Sequence, residues 1–382
     1  GIFGNADDRT VSAPTKTPPS CARGVSKRGH LFCRGARARL DMESLVSAIA
    51  FPAPRLPLSF YSERLLNRDD LLYLKTSHGE RIPAVYVRAR QQRRKSNSKR
   101  GGGQHGRGVT ILYAHGNAED ICLHLNFVEA MSKLTGSDVL SFEYVGYSLS
   151  RFEGGQPSEE AAYRSIDAAW RYLTEEARVP PSRIVVYGRS IGTGPAVDLC
   201  SRQDHLTLGS GDEQSAKIFF DFEPAKARGL FLQSPLESGL RCAFGYVSSF
   251  LLSSIDIFRN YDKIHRVRCP LAVIHGTRDA VVPASGAKSL LQQAKASRHQ
   301  RNGPDQKDDD DANNNNNTRE SVSPPEQESN LDDDGFFVRE RWLKGYGHND
   351  MPYDQVFHFL HDFLRDIGGA PPPPQPLHVL RV

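Results

Sequence analysis

The chain has 382 residues, 25% of them charged, a net charge of +4 and 38% hydrophobic residues, enough for one large or two ordinary domains but too few apolar side chains to fold along its whole length. Charge is segregated: residues 303–335 hold eleven acidic and two basic side chains, 88–108 hold eight basic and no acidic ones, and 1–41 hold eight basic and three acidic, so the rest is close to neutral. A neutral body excludes nucleic acid as its target, and the absence of an apolar run near ~18 residues or of a signal-peptide core argues against a membrane span and against secretion.

Residues 1–41 mix Pro, Ser, Gly and Arg without periodicity and read as a disordered basic segment. Gly1 does not open a myristoylation signal, because Asn5 occupies the position that wants Ser or Thr. Residues 45–51 form a short apolar patch that either touches a membrane surface beside the Arg-rich arm or packs on the body. Residues 71–76 and 82–87 flank His78-Gly79-Glu80 as a β-hairpin. The basic stretch 88–108 is a solvated insert, with anionic lipid headgroups as the functional alternative. Residues 109–113 are a strand that ends in Ala114-His115-Gly116-Asn117, followed by a helix over 121–134. A histidine-glycine turn after an early central strand is where an oxyanion-hole N–H is placed, and Asn117 is the candidate donor.

Residues 138–144 are the next strand, and Ser158-Glu159-Glu160 caps a helix running to residue 178, with acids in its first turn. Strands alternating with helices imply an α/β domain built on a mostly parallel central sheet with helices on both faces. The apolar run Ile184-Val185-Val186-Tyr187 then breaks into Gly188-Arg189-Ser190-Ile191-Gly192 and continues as a helix to about residue 202. This is the pattern of a nucleophile elbow, with Ser190 on the turn and the N–H of Ile191 as second oxyanion donor. Residues 203–227 form a polar insert before the strand 229–233 and Ser234-Pro235-Leu236. The apolar set Phe244, Tyr246, Val247, Phe250, Leu251, Leu252, Ile255, Ile257 and Phe258 either lines an acyl pocket or packs as an ordinary helix.

Strand 270–275 delivers Gly276-Thr277-Arg278-Asp279 at its carboxyl end, where ligand and catalytic groups collect in open α/β sheets, so Asp279 is the candidate acid. After a helix over 285–297, residues 298–335, with an Asp run and five consecutive asparagines, read as a disordered insert. Residues 336–343 are a strand, and the turn 345–350 carries His348. Of thirteen histidines it alone is late enough and framed by a strand and the amphipathic helix 353–367. The polyproline tail 371–382 is a linker or loose end, and the folded domain with its inserts spans 42–370. Six cysteines, at 21, 33, 122, 200, 242 and 269, show no metal-ligand spacing and read as reduced fillers of an intracellular protein. No metal or organic cofactor is expected.

The segments Leu112-Tyr113-Ala114-His115-Gly116-Asn117-Ala118-Glu119-Asp120, Tyr144-Val145-Gly146-Tyr147-Ser148, Tyr187-Gly188-Arg189-Ser190-Ile191-Gly192-Thr193-Gly194-Pro195, Ser234-Pro235-Leu236, His275-Gly276-Thr277-Arg278-Asp279 and Gly347-His348-Asn349-Asp350 together resemble the α/β-hydrolase domain-containing protein seventeen family. That resemblance implies an α/β-hydrolase fold and a palmitoyl-protein thioesterase acting on S-acylated proteins at the cytosolic face of membranes, with Ser190, Asp279 and His348 as nucleophile, acid and base. Family members are anchored through an N-terminal palmitoylated cysteine cluster; here Cys21 and Cys33 stand in that region. The same three residues would serve a carboxylesterase or lipase, and a catalytically silent scaffold is the reading from a different class.

Overall fold

The computed structural model describes residues 51–89, 108–202, 227–242, 255–299 and 336–368, all within the unit spanning residues 46–382. The N-terminal segment 1–41, the patch 45–50, most of the inserts 88–108, 203–227 and 298–335, the apolar residues Phe244 to Leu252 and the tail 371–382 lie outside the described residues.

Among the described residues eight strands form one sheet: β1 Leu71–Lys75, β2 Arg81–Val87, β3 Thr110–Ala114, β4 Asp138–Phe142, β5 Ile184–Arg189, β6 Gly229–Gln233, β7 Leu271–Gly276 and β8 Val338–Leu343, in the order β1-β2-β4-β3-β5-β6-β7-β8. β1 pairs with β2 and β2 with β4 antiparallel, and every other pairing is parallel. The central strands β3, β5, β6 and β7 read as continuous apolar runs because both faces are covered, whereas the edge strands β1 and β8 stay partly exposed. Along β3, Leu112 and Ala114 point to one core layer and Ile111 and Tyr113 to the other; along β5, Ile184 and Val186 oppose Val185 and Tyr187 in the same way.

Helix α1, Leu58–Arg64, precedes the sheet. α2, Leu125–Thr135, and α6, Tyr353–Asp366, cover one face. α3, Glu159–Arg171, α4, Thr193–Ser201, and α5, Ala284–His299, cover the other. The expected cap of α3 is present, with Ser158 Oγ accepting from Ala161 N at 3.1 Å. The helix boundaries that differ most from expectation are the start of α2 and the end of α3. α2 begins at Leu125 rather than residue 121: residues 121–124 form a turn, in which the N–H groups of Leu123 and His124 both bond to Asp120 O, at 2.8 and 3.3 Å. Regular helix in α3 stops at Arg171 and passes into a π turn over Tyr172–Glu176, where the Thr174 hydroxyl donates back to Trp170 O at 3.0 Å.

Parallel strands all end at the same edge of a sheet, so the loops after β3, β4, β5, β6, β7 and β8 collect there. That edge carries Asn117, Ser190, Ile191, Asp279 and His348. Among the described residues no helix is long and apolar enough to cross a membrane.

Candidate active site

β5 ends at Arg189, and Ser190 takes φ +53°, a left-handed conformation that costs a non-glycine residue about 1–2 kcal/mol. The surroundings enforce it. A Cβ on Gly188 would meet Gly192 O at 2.7 Å and Thr193 Cα at 2.8 Å; one on Gly192 would meet Ala114 O at 2.2 Å and His115 O at 2.5 Å. The two glycines thus let the elbow close on itself and let α4 press against the end of β3. Thr193 fixes the turn from the helix side, its hydroxyl donating to Ser190 O at 2.6 Å.

The three residues proposed from the sequence come together. His348 Nε2 lies 2.9 Å from Ser190 Oγ, and His348 Nδ1 lies 2.7 Å from Asp279 Oδ2. Ser190 and Asp279 are each 8% exposed and the His348 side chain 9%, so the set is nearly dry yet reachable. The second oxygen of Asp279 accepts from the N–H groups of Val281 at 2.9 Å and Val282 at 2.7 Å. Burial pushes the Asp279 carboxyl up, but hydrogen bonds from His275, His348 and the Val282 N–H, with the charge of His348, outweigh it and hold the group well below the usual carboxylate range. It is an anion, aimed at the far nitrogen of the imidazole that faces the serine.

The 115–119 loop lies against the elbow, because Ala114 pairs with Gly188 and the carbonyls of Ala114 and His115 abut Gly192. Two tyrosines after β4 secure it: Tyr144 donates to His115 O at 2.8 Å and Tyr147 to Asn117 Oδ1 at 3.0 Å. The Asn117 side chain is thereby occupied, consistent with a backbone and not a side-chain role. Ile191, half-buried, is the first residue past Ser190 in the 3₁₀ turn Ser190–Gly192.

Several contributors were not singled out from the sequence. Arg189, just before the serine, pairs with Glu119 of the 115–119 loop and donates to Asn349 Oδ1 of the His348 loop at 3.1 Å, tying both loops to the nucleophile strand. Glu119 also accepts from Gly116 N at 3.0 Å. Beneath them His115, wholly buried, sits 2.8 Å from Glu143 Oε1, and Tyr61 of α1 donates to Asp120 at 2.6 Å. Burial and then the Glu143 charge push the Asp120 carboxyl up to about 6. His275 lies against Asp279. One signal in the sequence pointed at it: His275-Gly276 repeats, at the end of β7, the His115-Gly116 pair at the end of β3.

His115, Glu119 and His124 bring potential metal-ligand atoms within 4.8 Å of one another. The donors do not fit a divalent cation. Glu119 is held by the Arg189 guanidinium and Gly116 N, and His115 is committed on both ring nitrogens, to Gly116 O at 2.9 Å and to Glu143. Cys122, Cys200 and Cys269 are buried and unbridged, as expected of fillers, while Cys242 is half-buried.

No family model matches the sequence. The chain is 31% identical over 235 residues to alpha/beta hydrolase domain-containing protein 17B of Xenopus tropicalis, covering 62% of this chain and 67% of that protein. It is likewise 31% identical over 233 residues to protein 17C of Mus musculus, covering 61% of this chain and 60% of the relative. The chain thus spans about three-fifths of the length of the mouse protein it matches. Among solved structures, a Pyrococcus furiosus esterase is similar with a TM-score of 0.47 and 13% identity, covering 82% of this chain and 96% of the other.

Proposed function

The chain belongs to the alpha/beta hydrolase domain-containing protein 17 family, and from that premise we propose that it is a serine hydrolase that removes acyl groups from S-acylated proteins. The observation that carries the proposal is the continuous line from Ser190 Oγ through His348 to Asp279, at 2.9 and 2.7 Å. A serine hydroxyl is too weak an acid to attack a thioester at neutral pH unaided. His348 Nε2 accepts its proton as Oγ bonds to the acyl carbon, and the charge on the imidazolium is balanced by Asp279 through Nδ1. The carbonyl oxygen becomes an oxyanion held by the backbone N–H groups of Asn117 and Ile191, which add no reorganisation cost because strand and elbow fix them beforehand.

Collapse of this tetrahedral species expels the thiolate, which takes the proton from His348 and leaves an acyl-Ser190. Water, deprotonated by the same imidazole, adds to the acyl carbon, and a second collapse releases the fatty acid and restores the Ser190 hydroxyl. Every step is proton transfer and acyl transfer, so the chain's own residues suffice.

The substrate proposal, a membrane-attached S-palmitoyl protein reached from the cytosolic face, is supported by the family and by the basic segments 1–41 and 88–108, whose charge favours anionic lipid surfaces. The test compares hydrolysis of an S-palmitoyl peptide with that of a short-chain ester by the wild type and by Ser190→Ala. The thioester is expected to turn over faster, and Ser190→Ala to lose about 10⁴–10⁶ in kcat. Faster turnover of the ester would replace the thioesterase proposal with a carboxylesterase; undiminished turnover by Ser190→Ala would remove the serine mechanism.

A further inference from the structure

One buried imidazole beside the site has no part in the mechanism above. His275 is the penultimate residue of β7, wholly buried, and its Nε2 lies 2.9 Å from Val282 O. The same nitrogen is 3.2 Å from Oδ2 of Asp279, the oxygen that also receives His348. A carbonyl oxygen only accepts, so Nε2 carries the hydrogen. Nδ1 is buried and has no partner among the described residues, and a proton placed there would be a buried donor unmet. The surroundings therefore select the Nε2–H tautomer, with its N–H divided between the Val282 carbonyl and the carboxylate.

We propose that His275 is a positioning residue for Asp279, whose N–H closes the 276–282 loop around the carboxylate and shares Oδ2 with His348, thereby moderating the hold of that carboxylate on the imidazolium formed when His348 takes the Ser190 proton. The proposal rests on the serine-hydrolase reading of the site. The carboxylate is ringed by four N–H groups, those of Val281 and Val282 on Oδ1 and those of His348 and His275 on Oδ2. Each donor draws charge from the oxygen it faces. With His275 present the pull of Oδ2 on the imidazolium of His348 is weaker. Without it, the whole of that oxygen faces His348.

Other groups also surround this cluster. They are Arg278 in the same loop, Cys242, whose thiol donates to Val281 O at 3.0 Å, and Trp342 of β8, whose ring centre is 6.1 Å from that of His275. Asp350, which accepts from Gly347 N at 2.5 Å, and the Arg189–Glu119 pair complete the set.

The experiment pairs His275→Phe, which keeps a planar ring and removes the N–H, with His275→Gln, which restores an amide N–H. Two quantities are read against pH: the rate at which a fluorophosphonate labels Ser190, and the titration of the His348 ring followed by ¹⁵N-histidine NMR, which needs no turnover. In His275→Phe both are expected to move upward by about one pH unit, with the acid limb of labelling displaced accordingly, and His275→Gln to return them at least halfway. A His348 titration unmoved in His275→Phe, with only a lower Tm, would overturn the proposal and make His275 a core filler. So would a His275→Gln variant displaced as far as His275→Phe. Should His275→Phe fail to fold, the wild-type spectrum decides: a hydrogen on Nδ1 with Nε2 bare contradicts the proposal, and a hydrogen on Nε2 with His275→Gln near wild type upholds it. Absence of labelling in the wild type at every pH, with the NMR titration moving as expected, would sink the hydrolase reading and leave the positioning role intact.

Discussion

Gly192→Ala isolates the contact on which the elbow depends. Gly192 has φ −62°, a value alanine adopts freely, so the substitution introduces no backbone strain of its own and tests space alone. Its new methyl would lie 2.2 Å from Ala114 O, about 1.2 Å short of the 3.4 Å at which ordinary contact begins, and 2.5 Å from His115 O. Both obstacles are backbone atoms at the end of a central strand, so no side chain can rotate away. Either α4 or the 115–119 loop must shift by about an ångström, at a stability cost of roughly 1–3 kcal/mol. The same shift parts Ser190 and the Ile191 N–H from the Asn117 N–H, and an ångström of misplacement is worth about 10² in rate. The assay is fluorophosphonate labelling beside a urea melt: labelling slower by about 10² in a protein that still unfolds cooperatively is expected. Labelling within twofold of wild type would refute the claim that this close approach builds the site.

Asp279→Asn is expected to lower labelling by about 10⁴, because an amide cannot balance the imidazolium and favours the wrong tautomer; a loss under tenfold would contradict the role of the carboxylate. Asp120, raised from an ordinary 3.8 to about 6 in the fold, binds its proton more tightly folded than unfolded. Its stabilising contribution is therefore complete below about pH 3.8 and is lost as pH climbs through about 6. Urea melts of Asp120→Asn should lack that decline between about pH 4 and 6, and an unchanged slope would count against it. Phe258, 1% exposed, packs its ring on Gly194 of the elbow helix, where a Cβ would come within 2.2 Å, and on Phe51 and Tyr163. Phe258→Ala should cost about 3–5 kcal/mol in a urea melt, against under 1 kcal/mol if the ring is not a wedge.

The parts of this molecule that could be read in advance are those encoded by neighbours in the chain. β3, β5 and β7 are apolar runs because they are covered on both faces, and the serine is framed by the two glycines that its turn requires. Ser158 announced the start of α3 because a cap needs only residues three apart. The early start assigned to α2 failed for the opposite reason: residues 121–124 form a turn whose first N–H, that of Ile121, is bonded to Glu143 on the loop after β4, a residue distant in the chain. Arg189, Glu119 and Asn349 were hidden in the same way, since positions 119, 189 and 349 meet only when three loops reach one edge of the sheet. His275 could be seen as a repeat of His115-Gly116 but not as a partner of Asp279, because that depends on how the 276–282 loop folds back onto β7.

On the proposed mechanism the acyl group is carried by Ser190 Oγ. Peptide mapping by mass spectrometry after fluorophosphonate treatment, in wild type and in His348→Gln, tests it most directly. A single adduct on Ser190, formed in the wild type and slowed by about 10⁴ or more when the imidazole is removed, is the result expected. An adduct on any other residue, or one on Ser190 that forms as fast without His348, would contradict it.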